Sequence, residues 1–279
     1  MTTTGILLLT LNGEKEIERL LKPLEGQKIV AIDSSSDDNT AEILKKRGVE
    51  VHVIPRSEFN HGLTREKGRK LLGTDIVVML TQDAFFKGPE DLERLVEPLV
   101  DKQASVSYAR QLPRSNAGLC ESFSRGFNYP EISHIRGLKD IPEWGIYTFF
   151  VSNSAAAWSQ AALDEIGGFK EIPFGEDTLA CCELIHRGHK VAYQAESLVE
   201  HSHDFSLKEE FQRNFQVGQS RKQIEPLLKV AGKDENRGRA FAKALLKQAC
   251  KTPWKIPYAA MHLGAKWLGY KLGRASSSI

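Results

Sequence analysis

Short apolar segments alternate with amphipathic ones through the first third of the chain. The apolar segments lie at 6–11, 28–32, 49–54 and 75–80, and the amphipathic ones at 14–22, 38–46 and 62–72. The first set predicts strands that are buried on both faces, and the second set predicts helices. Strands alternating with helices are typical of a parallel α/β sheet, whose ligands bind beyond the carboxyl ends of the strands.

The pattern is less regular after residue 103. It predicts strands at 105–110, 146–151, 191–193 and 197–199, helices at 116–125, 160–166 and 177–186, and loops over 128–144. Helices resume over 207–228 and again up to Pro253, followed by an apolar segment at 256–272. We therefore predict a main α/β domain over 1–205, with halves 1–103 and 104–205, and a helical C-terminal extension over 206–279.

Composition places the chain among ordinary globular proteins. It has 279 residues, of which 41% are hydrophobic and 27% charged, which excludes a disordered or low-complexity protein. The 38 Lys and Arg nearly balance the 36 Asp and Glu, so we predict no nucleic-acid partner. The four cysteines lack CxxC spacing, which indicates free thiols in a reducing compartment. No signal-like or membrane-spanning segment is recognised, and we expect a cytoplasmic protein.

The two predicted parts differ in charge. Residues 205–279 hold 15 Lys and Arg against 5 Asp and Glu, whereas residues 1–204 hold 23 against 31. Basic residues recur every four positions from Arg239 to Lys251, close to aromatic residues, which is typical of a helix on an anionic membrane surface. We predict peripheral attachment to the inner face of the membrane through about residues 236–272. The alternative is that these helices pack on the main domain or on a second copy, as in a homodimer.

Polar side chains stand at the carboxyl ends of three predicted strands. They are Thr10, then Asp33, Ser34 and the nearby Asp38, and then Gln82 and Asp83. An acidic residue at a strand end can accept hydrogen bonds from a base or a ribose. A carboxylate such as Asp83 can hold a divalent cation that bridges two phosphates. The plainer alternative is that these residues cap the helices that follow.

Other candidate residues lie further along the chain. Arg65, in the first turn of a predicted helix, can contact a phosphate as a planar fork, although locally a solvated arginine is the better explanation. Asp177 starts a helix whose dipole favours its ionised form; partial desolvation would let it act as a general base, and capping is the alternative. His201 and His203 lie on one face of an extended segment and can share a metal.

The order of the motifs resembles the family 2 glycosyltransferases and, within them, the bacterial rhamnosyltransferases. Over about residues 4–220 the chain reads DSSSDDNT, FNHGLTRE, TQDA, YARQLP, FVSNSAAAW, GGF before GEDTLA, and VEHSHDFSL. This resemblance implies a GT-A fold, in which a Rossmann-like nucleotide-sugar-binding half is followed by an acceptor-binding half. It also implies transfer of a sugar with inversion at its anomeric carbon.

The resemblance further implies a role for each candidate residue. The donor, a nucleoside diphosphate sugar, would be bound by Thr10, Asp33, Ser34, Asp38, Arg65, Gln82 and Asp83. Asp83 with His201 or His203 would bind Mg²⁺ or Mn²⁺, and Asp177 would be the catalytic base. The predicted acceptor-binding residues are Trp144, Ser152, Asn153 and Glu176, with Trp144 as a core residue the alternative.

Two positions depart from the family pattern. Gln82 stands where a further carboxylate is usual, which lowers the negative charge of the site, and Glu66 stands where Asn often follows the arginine. The predicted reaction moves L-rhamnose from dTDP-L-rhamnose to a glycan or lipid-linked acceptor in surface polysaccharide synthesis. The alternatives are a UDP-linked hexose as donor, a nucleotidyltransferase, and a non-catalytic sugar-binding module. The segment after the first strand lacks the basic Gly-rich loop of a nucleotidyltransferase.

Overall fold

A computed structural model describes residues 2–232 and 234–276 of the chain. Its strands are β1 (Thr4–Thr10), β2 (Ile29–Asp33), β3 (Glu50–Val53), β4 (Ile76–Thr81), β5 (Phe85–Phe86), β6 (Val106–Leu112), β7 (His134–Arg136), β8 (Ala155–Ser159) and β9 (Val191–Glu200). They form one mixed sheet in the order β3-β2-β1-β4-β8-β6-β9-β5, with β7 paired to β9.

Helices cover the sheet and follow it. The α-helices of the described residues are α1 (Glu14–Leu21), α2 (Thr40–Lys46), α3 (His61–Leu72), α4 (Pro89–Val100), α5 (Leu119–Asn128), α6 (Ile141–Trp144), α7 (Gln160–Glu165), α8 (Glu176–His186), α9 (Leu207–Gln223), α10 (Glu225–Leu228), α11 (Asp234–Ala249) and α12 (Ile256–Ala275). None of them is both long enough and apolar enough to cross a membrane.

The parallel strands β3, β2, β1 and β4 separate two hydrophobic cores. In β1, Leu7 and Leu9 face one core, and Ile6 and Leu8 face the other. Successive side chains of a strand point to opposite faces, so an apolar run with no polar alternation is the sequence of a strand covered on both sides. The predicted α/β fold is confirmed here, and the carboxyl ends of β1, β2 and β4 lie along one edge.

The parallel arrangement predicted for the first half does not continue through the second half, where the sheet is mixed. β8, which the hydrophobic pattern did not identify, runs antiparallel to both β4 and β6. It contains three consecutive alanines, which carry no strand preference of their own but fit the crowded centre of the sheet.

Two further segments differ from the prediction. The expected strand at 146–151 is mostly a 3₁₀-helix, Gly145–Phe149. Tyr147 and Phe149 are buried there, and a short apolar run of this kind does not distinguish a strand from a turn of helix. The two strands expected at 191–193 and 197–199 form the single strand β9, whose register against β6 shifts between Ala109 and Arg110.

The C-terminal helices pack closely together and against the main domain. Glycines bring α9 and α12 into backbone contact, since a Cβ on Gly273 would lie 2.0 Å from the carbonyl oxygen of Phe215. On α11, Leu245 and Ala249 are fully buried in a small core shared with Cys120 of α5. The alternative prediction, packing on the main domain, therefore describes a large part of this extension.

Candidate active site

An aspartate and two histidines meet beyond the ends of β4 and β9. Nε2 of His203 lies 3.1 Å from Oδ2 of Asp83 and 3.1 Å from Nε2 of His201, which in turn lies 3.6 Å from Oδ1 of Asp83. Ligands about 2.1 Å from an octahedral ion, in neighbouring positions, lie about 3 Å apart, so this spacing fits a shared cation. It is the one such group found among residues 2–232 and 234–276.

The surroundings of the two histidines suit metal binding. Nδ1 of the buried His201 lies 2.9 Å from Oε1 of Gln111, an oxygen that can only accept a hydrogen bond, so the ring proton is on Nδ1 and Nε2 presents its lone pair toward Asp83 and His203. Burial lowers the pKa of His201, and burial together with the neighbouring ring lowers the pKa of His203 to about 4. Neutral imidazoles of this kind bind metal without losing a proton.

The ends of β1 and β2 form a second polar cluster around Asp33. This buried carboxylate accepts hydrogen bonds from the Thr10 hydroxyl at 2.8 Å, from the Ser36 amide at 2.8 Å and from the Ser36 hydroxyl at 2.6 Å. The amide of Ser34 bonds the carbonyl of Thr10 at 2.9 Å. Three of the predicted donor-binding residues are thus brought together and held rigidly.

Two other predicted donor-binding residues are engaged by the backbone. Asp38 accepts hydrogen bonds from the Thr40 amide at 3.0 Å and the Glu14 amide at 3.1 Å, and so ties the starts of α1 and α2 together. The amide group of Gln82 bonds both the N–H and the carbonyl of Leu11, each at 2.9 Å. The side chain of Gln82 therefore joins the ends of β1 and β4. The contacts of Asp38 are those expected of a residue that caps a helix, which was the alternative to donor binding.

Arg65 forms a buried ion pair with Glu176. Nη1 of Arg65 lies 2.5 Å from Oε1 of Glu176, and the two residues are each 4% exposed. The same carboxylate oxygen accepts a hydrogen bond from Nδ2 of Asn153 at 3.1 Å, while Oδ1 of Asn153 accepts one from the indole of Trp158 at 2.8 Å. This network joins α3 to α8 across the site, which puts Glu176 and Asn153 beneath its surface.

Asp177 follows Glu176 in sequence, is half-buried, and has a raised pKa. Its Oδ2 accepts a hydrogen bond from the Asn153 amide at 3.2 Å and its Oδ1 one from the Thr178 amide at 2.6 Å. Burial, and secondarily the charge of Glu176, nevertheless raise the pKa of Asp177 to about 6. Desolvation therefore outweighs the helix dipole, which is the condition under which the sequence offered Asp177 as a general base. A carboxylate with this pKa is suited to accept a proton near neutral pH.

Asp177 and His201 line the same cavity of about 260 Å³. Ser152 also lines it, and its hydroxyl accepts a hydrogen bond from Nε2 of Gln111 at 3.0 Å. Trp144 does not line it; its ring stacks on His134 with centroids 4.2 Å apart. Of the four predicted acceptor-binding residues, Ser152 alone is therefore on the cavity wall.

Much of the cavity wall comes from residues that the sequence did not identify. Helices α5, α9 and α12 contribute charged side chains, namely Glu121, Arg125, Glu210, Arg213, Arg221 and Lys266. The capping box at Ser206 and Glu209 does indicate the start of α9. Which face of α9 meets the cavity depends on its packing against α12, and this is not readable from the local sequence.

Comparison with known proteins identifies the family. The family model "Glycosyl transferase family 2" matches residues 6–167. The chain belongs to glycosyltransferase family 2. It is 38% identical to the O-antigen chain rhamnosyltransferase WbaN of Salmonella anatum over 91% of this chain and 82% of that protein. It is 36% identical to RfbN, a protein of the same description from Salmonella typhimurium, over 90% and 82%. These likenesses extend well beyond residue 167, into the C-terminal helices.

Solved glycosyltransferases share the fold of this family 2 enzyme. A mannosyltransferase from Pyrobaculum calidifontis, solved with GDP-mannose and Mn²⁺, superposes with a TM-score of 0.63 at 15% identity, over 98% of this chain and 86% of that one. Staphylococcus aureus TarS, solved with UDP-GlcNAc, superposes with a TM-score of 0.55 at 15% identity, over 98% and 90%. The fold is therefore GT-A, as the motifs implied.

Proposed function

We propose that this glycosyltransferase moves L-rhamnose from dTDP-L-rhamnose to a glycan or lipid-linked acceptor in O-antigen synthesis, with inversion. The observation that carries the proposal is the half-buried Asp177, with a pKa of about 6, on the wall of a cavity that also reaches His201. The rhamnosyltransferases that resemble the chain over nine-tenths of its length support the choice of sugar.

The donor is assigned to the edge formed by residues 1–103. The rigid cluster of Thr10, Asp33 and Ser34 suits the base and ribose of a nucleotide, because its hydrogen-bonding groups need no rearrangement. Arg65 lies at the junction with α8, where its guanidinium has further N–H groups beyond those bonded to Glu176. We assign it to the donor diphosphate, as the family motif implies.

Asp83, His201 and His203 are assigned to one divalent cation, Mg²⁺ or Mn²⁺. The combination of one carboxylate and two imidazoles is better matched to Mn²⁺ than to Mg²⁺, which prefers oxygen ligands. A cation there supplies charge neutralisation for the leaving diphosphate.

The acceptor is assigned to the cavity and to residues 104–205, with the extension 206–279 completing the wall. Asp177 takes the proton of an acceptor hydroxyl, whose oxygen attacks the anomeric carbon from the face opposite the diphosphate. The new C–O bond forms as the bond to the diphosphate oxygen breaks, which releases the nucleoside diphosphate and inverts the configuration. The negative charge of Glu176 beside Asp177 favours proton uptake.

A donor screen tests this function. Release of nucleoside diphosphate would be measured with dTDP-L-rhamnose, UDP-glucose and UDP-galactose, each with Mn²⁺, with Mg²⁺ and with EDTA, in the presence of membrane-extracted acceptor. We expect the wild type to turn over dTDP-L-rhamnose in preference to the other donors, and only when a divalent metal is present. We expect Asp177→Asn to turn over none of them. Preference for a UDP-hexose would refute dTDP-L-rhamnose as the donor. Turnover by Asp177→Asn would exclude Asp177 as the catalytic base.

We further propose peripheral membrane attachment through the C-terminal helices. The large exposed apolar residues after α11 are Trp254, Tyr258, Met261, Trp267, Leu268 and Leu272. All but Trp254 and Trp267 fall on one face of α12, and the exposed Lys251 and Lys255 precede them. Apolar side chains beside lysines are typical of an interfacial helix.

Vesicle co-sedimentation tests the attachment. Met261→Glu with Leu268→Glu places two charges on the exposed face, and we expect binding to vesicles with anionic lipid to be lost. Val53→Glu with Val100→Glu adds the same two charges at exposed apolar positions outside the C-terminal helices, and this control should bind as the wild type does. Unchanged binding of the Met261/Leu268 variant would refute the attachment.

A further inference from the structure

A large groove separates α11 from α12 and adjoins the catalytic cavity. Its volume is about 1060 Å³, at the upper end of the range for ligand-binding pockets. The walls come from α9, α11 and α12, which lie entirely within the C-terminal extension, and from Ile146 of the main domain. None of the residues assigned to the donor, the metal or the base lines it.

The side chains that line the groove give it a cationic character. Five of them are basic, Arg221, Arg237, Arg239, Lys266 and Lys271, whereas Glu235 is the one acidic residue that lines it among those described. Glu235 is already paired with Lys271 at 2.9 Å. Nζ of Lys266 lies 3.3 Å from Oε2 of Glu210. The charge of Arg237 and Arg239 is suited to an anionic ligand, and arginine forks are the side chains best matched to phosphate oxygens.

Arg237 is held in place by neutral groups. Its guanidinium lies 4.0 Å from the ring centroid of Tyr147, and Nη2 donates to Oδ1 of Asn128 at 2.9 Å. These contacts orient the side chain without neutralising its charge. Phe241, Trp267 and Tyr270 add apolar surface to the same groove, so it offers both positive charge and aromatic faces.

The groove is continuous with the catalytic cavity. Val217, Arg221 and Lys266 line both of them. An acceptor whose reacting sugar lies beside Asp177 can therefore extend past these three residues into the groove. The groove also adjoins the exposed apolar face of α12. Leu268 and Leu272 of that face directly follow Trp267 and Lys271 of the groove in sequence, and each lies about 100° further around the helix.

We propose that this groove binds a phosphate or diphosphate ester carried by the acceptor, between its sugar and its apolar chain. The assignment rests on the proposed transfer to a lipid-linked acceptor, and it names the part of the acceptor that the C-terminal extension recognises. Sugar, phosphate and apolar chain then lie in that order along the cavity, the groove and the apolar face.

A soluble amphiphile tests the assignment with the full-length protein. Binding of decyl diphosphate, decanol and inorganic diphosphate would be measured by calorimetry in EDTA, so that no metal draws the probe to the donor side. We expect decyl diphosphate to bind more tightly than either of the other two. Arg239→Glu with Lys271→Gln should weaken it roughly tenfold or more, as for the loss of charged hydrogen bonds.

The matched control lies on the outer face of α11. Lys243→Glu with Lys247→Gln makes the same change of charge at two exposed positions that do not line the groove. We expect this variant to bind decyl diphosphate within twofold of the wild type. Equal weakening in the two variants, or decanol binding as tightly as decyl diphosphate, would overturn the assignment.

Two further measurements separate the groove from membrane attraction and from the donor site. The groove variant, Arg239→Glu with Lys271→Gln, would also be tested for binding to phosphatidylglycerol vesicles. If it loses vesicle binding while the wild type fails to bind decyl diphosphate, the groove serves phospholipid headgroups only, and the acceptor assignment is overturned. Metal-dependent binding of dTDP-L-rhamnose should be unchanged in the groove variant. Failure of the wild type to bind that donor would refute the proposed function, whereas failure of decyl diphosphate alone would refute the groove.

Discussion

Replacement of Asp177 by asparagine should make the protein more stable at neutral pH while removing its activity. In the folded chain, burial and Glu176 raise the pKa of Asp177 from 3.8 to about 6. In the unfolded chain this carboxyl loses its proton near pH 4. Between these values the native state binds more protons than the unfolded state, so stability falls as the pH rises through the window.

The magnitude follows from the two pKa values. The difference between 3.8 and about 6 corresponds to about 3 kcal/mol of lost stability above pH 7, at about 1.4 kcal/mol per pKa unit. Asparagine has no charge to bury, so it avoids this cost. It keeps one acceptor oxygen for the two amides of Asn153 and Thr178, and the lost hydrogen bond costs about 1 kcal/mol at every pH. The net gain at pH 7.5 is therefore about 2 kcal/mol.

Urea unfolding in EDTA at pH 4 and pH 7.5 measures the effect. The stability of Asp177→Asn relative to wild type should increase by about 2 kcal/mol between these pH values. Asp101→Asn, at an exposed position, controls for the change in charge. A difference that does not depend on pH, or that has the opposite sign, would refute the argument from burial.

In the wild type, kcat/KM should fall tenfold per pH unit below about pH 6, and the variant should lose roughly 10²–10⁴ in rate.

Three other substitutions test separate parts of the site. Glu176→Gln removes the partner of the buried Arg65 and should cost about 3–5 kcal/mol in urea unfolding; a loss below 1 kcal/mol would contradict the pairing. Gln111→Leu removes the hydrogen bond that orients His201 and should weaken Mn²⁺ binding, measured by calorimetry, about 10–100-fold. Unchanged Mn²⁺ affinity would show that this hydrogen bond has no role in metal binding. Gly273→Leu should separate α12 from α9 and lower the melting temperature and the rate together. An unchanged melting temperature would show that the helix contact is loose.

The first half of the fold and the positions of Asp83, His201 and His203 were predictable from the sequence for a simple reason. Buried parallel strands need continuous apolar runs, and the polar residue that ends each run lies at the ligand-binding edge. Asp83 follows such a run two residues after the end of β4, and the alternation of His201 and His203 places both rings on one face. The pattern therefore located each group, although it did not show that β4 and β9 deliver them to the same point.

The remaining features depend on tertiary packing. Nothing in the local sequence shows that Gln82 is paired with Leu11, or that Glu176 is buried against Arg65. Both contacts join residues that are distant along the chain. The raised pKa of Asp177 has the same origin, since the helix start alone favours the ionised form and only the surrounding fold desolvates it.

The C-terminal helices show why a charge count alone gave an incomplete prediction. The excess of basic residues indicated an anionic partner, but the sequence does not say which of them are exposed to a membrane and which line a cavity. Close packing at Gly273 turns Lys266 toward Glu210, 3.3 Å away, on the wall of the catalytic cavity, whereas Lys251 and Lys255 remain at the surface. One basic segment is thereby divided between two surfaces. The lipid-linked acceptor that we propose would use both surfaces, because the position of its sugar beside Asp177 would depend on where its chain is anchored.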